Sequence, residues 1–295
     1  MARTPLHVWW LAIRPKTLGA AIAPVIMGVA IAYSAGQFHG GAAIAAMAGA
    51  LLLQIAANFA NDYFDWRKGA DDARRVGPIR VVSAGLVAPA TMRIAIVLTL
   101  LSVVPIAVYL VWRAGPAFIG IGAASILFAL LYTGGPRPLA YIGLGDVAAF
   151  AFFGPIAVAG TYAAQSRSFE WLPAIAGIGP GCLAMTLLAV NNLRDREGDA
   201  RANKRTLAVR FGAGFARAEI VLSVAIAAAV PVVLAAWTHH WGAVAATATC
   251  ITILPAIRDV LRGGEGHTLN RVLASTGRLI ILYGFSFAIG WMIWW

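Results

Sequence analysis

The stretch N58-F-A-N-D-Y-F-D-W-R-K-G-A-D-D72 closes an apolar run that begins near residue 41, and N191-N-L-R-D-R-E-G-D199 closes another that begins near residue 171. The two segments hold seven of the twelve acidic residues in a 295-residue chain that is 60% hydrophobic and 12% charged. Soluble domains average about a quarter charged residues. Carboxylates next to a membrane core are unfavourable unless they serve a purpose, so paired clusters of this kind mark a functional site.

Apolar runs close to 20 residues recur along the chain, about the length that crosses a bilayer core. Nine spans are predicted, near 17–36, 41–60, 93–112, 117–133, 143–164, 171–191, 216–237, 240–257 and 276–295. They make one all-α, polytopic membrane domain over residues 1–295, bundled around a cavity at one face. Arg3, Arg14 and Lys16 precede the first run, which is too long for a signal-peptide core and reads as an uncleaved span. Cys182 and Cys250 lie inside apolar segments and suggest neither a disulfide framework nor a metal site.

The net charge of +11 invites a nucleic-acid reading, but its placement opposes one. Assigning loops alternately to the two sides puts 21 of 23 Lys and Arg on one side, leaving Arg113 and Arg167 on the other. That asymmetry places the N-terminus and both acidic clusters at the cytoplasmic face of the inner membrane, with the cations also meeting lipid headgroups. A transporter would carry its acids nearer the midplane, commonly on broken helices. Here they gather at one edge, as an interfacial enzyme requires.

If the second span stays helical to its end, Asn58, Asp62 and Asp65 share a face at i, i+4 and i+7. Asn192, Asp195 and Asp199 repeat the pattern after the sixth span. Carboxylate and amide oxygens suit Mg²⁺, and neither cluster has a His or Cys to favour a softer metal. Arg67, Lys68, Arg74, Arg75 and Arg80 follow the first cluster, and Arg194, Arg196, Arg201, Lys204 and Arg205 accompany the second. Acids, metal and surrounding cations together suit a diphosphate at the membrane surface. Gly77-Pro78 and Gly134-Gly135-Pro136 offer tight loops to cover it.

At these residues the chain resembles the UbiA-type intramembrane prenyltransferases over essentially its whole length. The resemblance is carried by R14-P-K-T-L18, N61-D-Y-F-D-W-R-K-G-A-D71, R75-V-G-P-I-R80, Y141-I-G-L-G-D146, N191-N-L-R-D-R-E-G-D199 and K204-R-T-L-A-V-R-F-G212. The last two runs point to the branch of menaquinone biosynthesis that uses 1,4-dihydroxy-2-naphthoate. One departure is Gly69, where the wider family often has a third Asp; Asp71 and Asp72 follow it.

The resemblance implies a polyprenyl diphosphate donor held by two Mg²⁺ ions on Asp62, Asp65, Asp195 and Asp199, with Asn58 and Asn192 assisting. It implies that Asn61, Lys68, Asp71, Arg75, Arg80, Arg137, Lys204 and Arg205 surround the substrates, and that Tyr63, Phe64 and Tyr132 shield an allylic cation. Arg14 and Lys16 are candidates for the acceptor carboxylate or the diphosphate, and Asp146 for orienting the acceptor or acting as base. The isoprenoid tail would lie in an apolar channel open to lipid. Related enzymes prenylate other aromatic acceptors such as 4-hydroxybenzoate, and the acceptor pocket is not legible in the residues. Gln54 lies one turn before Asn58, and His239-His240 reads as an interfacial turn.

Overall fold

The computed structural model describes residues 5–69 and 77–293. Asp71, Asp72, Arg74 and Arg75 therefore lie outside the described residues. Among the described residues all regular structure is helical. Short α1 (Pro5–Ile13) leads into α2 (Pro15–Ser34), α3 (Gly40–Arg67), α4 (Pro89–Ala114) and α5 (Ala117–Leu131). Then come α6 (Gly145–Phe152), α7 (Pro155–Ser166), α8 (Trp171–Ala176), α9 (Ile178–Arg201) and α10 (Leu207–Thr238). The chain ends with α11 (Ala245–Thr249), α12 (Leu254–Leu261) and α13 (His267–Ile293).

Eight helical stretches among the described residues are long and apolar enough to cross a membrane. The remaining expected span is α5, an apolar helix of 15 residues that covers only about 22 Å at 1.5 Å per residue. Several other spans are interrupted, two of them next to each other. The stretch 145–166 bends at Gly154-Pro155 between α6 and α7, and 171–201 bends at Gly177 between α8 and α9. These bends touch: a side chain on Gly154 would strike the Gly177 carbonyl and the Gly181 backbone, so only glycine permits this crossing.

The loops sort into two ends. His39 N–H donates to Gln165 Oε1, Arg113 donates to the Gln165 carbonyl, and the Ser34 hydroxyl reaches the Trp291 carbonyl. His240 stacks on Trp291 at 4.2 Å, as an interfacial turn would. The opposite end holds the α3–α4, α5–α6 and α9–α10 connections, where both motifs lie. Between the ends, α2, α7, α9, α10 and α13 enclose a core containing Met27, Val158, Leu183, Ile220, Leu279 and Phe287. The buried Tyr283 hydroxyl is satisfied by the Ala227 carbonyl at 2.9 Å.

Candidate active site

The acidic segments are helical over 58–67 and 191–199, and for local reasons. The His39 side chain accepts from Ala42 N–H at the start of α3, and the helix runs past its apolar part until Gly69 (φ 63) turns the chain away. At the far end of α9, Asn203 takes φ 54, and Thr206 caps α10 by accepting from Val209 N–H. The acids thus occupy the last turns of two long helices. A cavity of about 960 Å³ lies between them.

Arg14, Lys16, Asn58, Asn61, Asp65, Arg80, Tyr132, Asn192 and Lys204 line this cavity. Asp62, Asp146, Asp195 and Asp199 stand behind its wall, each against a residue that lines it. Arg137 and Arg205 are exposed and outside the wall; Arg205 joins the site only through its backbone N–H to the Tyr141 carbonyl. Lys68 donates to the Thr133 carbonyl at 2.7 Å and sits over the Tyr141 ring, and burial holds its pKa below the usual lysine range.

Asp62 departs from the arrangement predicted by helical phase. Its Oδ2 and Oδ1 accept from Val81 and Val82 N–H at 3.0 and 3.1 Å, and Arg14 approaches at 3.8 Å. The carboxylate therefore folds the 77–87 loop over the helix end. That loop places Arg80, whose Nη2 reaches Asp65 at 3.0 Å, while the Tyr141 hydroxyl donates to the other Asp65 oxygen at 3.2 Å. Asn58 turns its amide N–H groups to the Ile13 carbonyl and the Thr17 hydroxyl, tying α3 to the α1–α2 corner. Asn192 turns its own to Asp146. Tyr63 and Phe64 pack with Val81, Met92 and Ile96 in a second core cluster, and the rings on the cavity are Phe128, Tyr132 and Phe153.

The motif positions on the cavity wall are Asn58, Asn61 and Asp65 of α3 and Asn191, Asn192 and Arg194 of α9, with Asp195 and Asp199 just behind them. Arg194 was not singled out by its position in the sequence, yet it organises the second motif. Its fully buried guanidinium donates to both Asp195 oxygens (2.7 and 2.6 Å), Asn191 Oδ1 (2.7 Å) and Asn270 Oδ1 of α13 (2.9 Å). Asp199 pairs with Lys204 at 3.4 Å and lies within Coulombic range of Asp195 and Asp65. Its Oδ2 is buried without a hydrogen-bond partner.

Among the described residues no three His, Cys, Asp or Glu side chains converge on a point. The donor set is instead a few carboxylates, amide oxygens and one orphaned acid oxygen, beside paired cations. That set fits Mg²⁺, which usually takes one or two protein carboxylates and completes its shell with water and phosphate.

Beyond Gln54, Ala57, Phe128 and Phe153 the cavity meets a second, almost wholly apolar space of about 160 Å³. It runs between α2, α3, α4, α5 and α7 past Gly49, Gly122 and Gly160. Phe128 and Phe152 stack at 4.4 Å on its wall.

The 1,4-dihydroxy-2-naphthoate octaprenyltransferase of Haemophilus influenzae is 34% identical over 311 residues, covering 99% of this chain and 98% of that one. Among solved structures, an apo UbiA homologue from Aeropyrum pernix superposes with a TM-score of 0.70 at 14% identity, covering 98% of this chain and 99% of the other. A UbiA homologue from Archaeoglobus fulgidus, bound to GPP and Mg²⁺, gives 0.60 at 15% identity with 96% and 99% coverage. At those identities the likeness concerns the fold. Residues 21–274 match the UbiA prenyltransferase family itself, and with near-full-length identity to a member the chain belongs to that family.

Proposed function

We propose that the protein transfers a polyprenyl group from polyprenyl diphosphate to 1,4-dihydroxy-2-naphthoate, with loss of CO₂, to give demethylmenaquinol. The observation that carries this reading is the junction of two Asn/Asp helix ends with an apolar channel at one cavity. One compartment suits a diphosphate and the other an isoprenoid. The name of the Haemophilus influenzae relative supplies the naphthoate acceptor, and the Archaeoglobus fulgidus homologue is a precedent for prenyl diphosphate with Mg²⁺.

Asp65, Asp195 and Asp199, with Asn61 and Asn191, would hold two Mg²⁺ ions, which when bound offset the charge of the leaving diphosphate. Asp62 acts on this reading through the loop it folds. Arg80 and Lys204 on the wall, with Lys68 behind it over Tyr141, take the remaining phosphate oxygens. The C–O bond of the donor breaks with both electrons on the diphosphate. The allylic carbon is held between Phe128, Tyr132 and Phe153, whose ring faces stabilise positive charge. A ring carbon of the naphthoate forms the new C–C bond, the carboxylate leaves as CO₂, and its bonding pair restores the aromatic ring. Asp146, clamped by Asn192 at the cavity edge, serves to orient an acceptor hydroxyl. The one-sided placement of the basic loops supports a site and an N-terminus that face the cytoplasm across the inner membrane.

Purified protein given polyprenyl diphosphate and Mg²⁺ is expected to prenylate dihydroxynaphthoate and to stop when EDTA is added. Product from 4-hydroxybenzoate alone would overturn the acceptor assignment, and full activity in EDTA would overturn the metal. The channel has its own test. A Cβ on Gly160 meets nothing within 4 Å, so Gly160→Leu fills space rather than clashing with backbone. Turnover of an eight-isoprene donor should fall about tenfold or more while geranyl diphosphate is retained, since tail burial contributes about 0.8 kcal/mol per CH₂. Equal loss on both donors would place the tail elsewhere.

A further inference from the structure

Most cations on the cavity wall face an acid: Arg14 meets Asp62, Arg80 meets Asp65, Arg194 meets Asp195 and Lys204 meets Asp199. Two do not. Lys16 of α2 and Arg278 of α13 both line the cavity, both are exposed, and neither has an Asp or Glu at ion-pair distance among the described residues. Arg278 makes a single long contact, Nε to the Ala274 carbonyl at 3.4 Å.

α2 and α13 cross where a methyl on Gly277 would stand 3.2 Å from the Lys16 carbonyl oxygen, and Lys16 and Arg278 line the one cavity beside this crossing. Arg278 lies eleven residues into α13, about 16 Å along its axis and next to the run L279-I-I-L-Y-G-F. An unpaired guanidinium on a cavity wall at the edge of an apolar span is suited to an incoming anion. The wall beside it is apolar and shallow, made by Leu187 and Leu188 of α9 and by Leu273 and Ala274 of α13. A flat ring fits against those side chains, with an anionic substituent directed at the cation pair. This wall is distinct from the route of the donor's tail, which leaves past Gln54, Ala57, Phe128 and Phe153.

We propose that Arg278, with Lys16 beside it, recognises the carboxylate of the aromatic acceptor. The guanidinium offers two parallel N–H donors to a carboxylate, a geometry an ammonium cannot reproduce. The inference rests on the prenyl-transfer reading and adds to it the groups that select an aromatic acid over a neutral phenol.

Full-length protein in detergent, without donor, is titrated with 1-hydroxy-2-naphthoate and separately with 1-naphthol, which lacks the carboxylate. Arg278→Gln is expected to weaken the hydroxynaphthoate at least tenfold and leave 1-naphthol within twofold, with Arg278→Lys intermediate. In turnover, KM for dihydroxynaphthoate should rise at least tenfold in Arg278→Gln while the donor KM changes less than twofold. Unchanged hydroxynaphthoate affinity would overturn the proposal. So would a matching rise in donor KM, which would give these cations to the diphosphate instead. Lys16→Gln, at an exposed position, is expected to show the same acceptor-only change to a smaller extent, and decides the matter should Arg278→Gln fail to fold. Wild-type protein that binds hydroxynaphthoate through Arg278 yet makes no prenylated product would refute the reaction and keep the anion site.

Discussion

Asp65→Asn is expected to lower kcat about 10³-fold while leaving the protein inserted and folded. Among the described motif acids Asp65 is the one that lines the cavity itself, and its two oxygens meet Arg80 at 3.0 Å and the Tyr141 hydroxyl at 3.2 Å. The amide keeps its size and one acceptor oxygen, so both neighbours can stay in place. What disappears is the charge that would hold Mg²⁺ against the diphosphate. Removing one preorganised electrostatic partner from a water-poor site typically lowers kcat by about 10²–10³, and here a metal ligand goes with it. The Mg²⁺ concentration for half-maximal rate should rise in parallel. Tyr141→Phe keeps the carboxylate and removes one hydrogen bond to it, about 1.5–3 kcal/mol, and should lose roughly 10- to 100-fold. An Asp65→Asn enzyme with more than a tenth of wild-type activity would remove Asp65 from the metal site.

Asp62→Ala should fail differently, through stability first. Its carboxylate is the acceptor for the Val81 and Val82 N–H groups, and both valines are buried. Truncation leaves two buried donors unsatisfied at about 1–3 kcal/mol each and removes the carboxylate that lies 3.8 Å from Arg14. A loss of roughly 2–6 kcal/mol is large against the 5–15 kcal/mol of a typical fold. The 77–87 loop should release, Arg80 should leave Asp65, and activity should fall with the melting temperature. Asp62→Asn retains one acceptor oxygen and should rank between wild type and Ala in thermal stability. Half-saturating Mg²⁺ should stay near the wild-type value in whatever Asn variant remains folded. Wild-type stability with weakened Mg²⁺ dependence would instead make Asp62 a ligand.

The contrast between Asp62 and Asp65 shows where sequence reading stopped. Helical phase correctly carries the helix through the motif, since α3 continues to Arg67 and α9 to Arg201. It also puts Asn58, Asp62 and Asp65 on roughly one face. That face is broad enough for Asp65 to meet the cavity while Asp62 turns to a loop fifteen or more residues onward. Periodicity has no access to that loop's demand for acceptors. Arg194 is a similar case. Among the many Arg and Lys of the basic face nothing local distinguishes it, because its third partner, Asn270, comes from a helix some seventy residues later. Lys16 and Arg278 reach one cavity only because α2 crosses α13 at Gly277.

The amino-acid order alone determined a membrane-spanning helical chain, two acidic helix ends and a basic side that gathers both. These follow from run length, from the 3.6-residue period and from the asymmetric placement of Lys and Arg, all properties of a local window. Tertiary structure alone decided which acid faces the cavity, which folds a loop, and which cations are already paired. Pairing and burial are set by neighbours far apart in the chain, and a buried charge or N–H group takes whichever partner the packed helices bring to it.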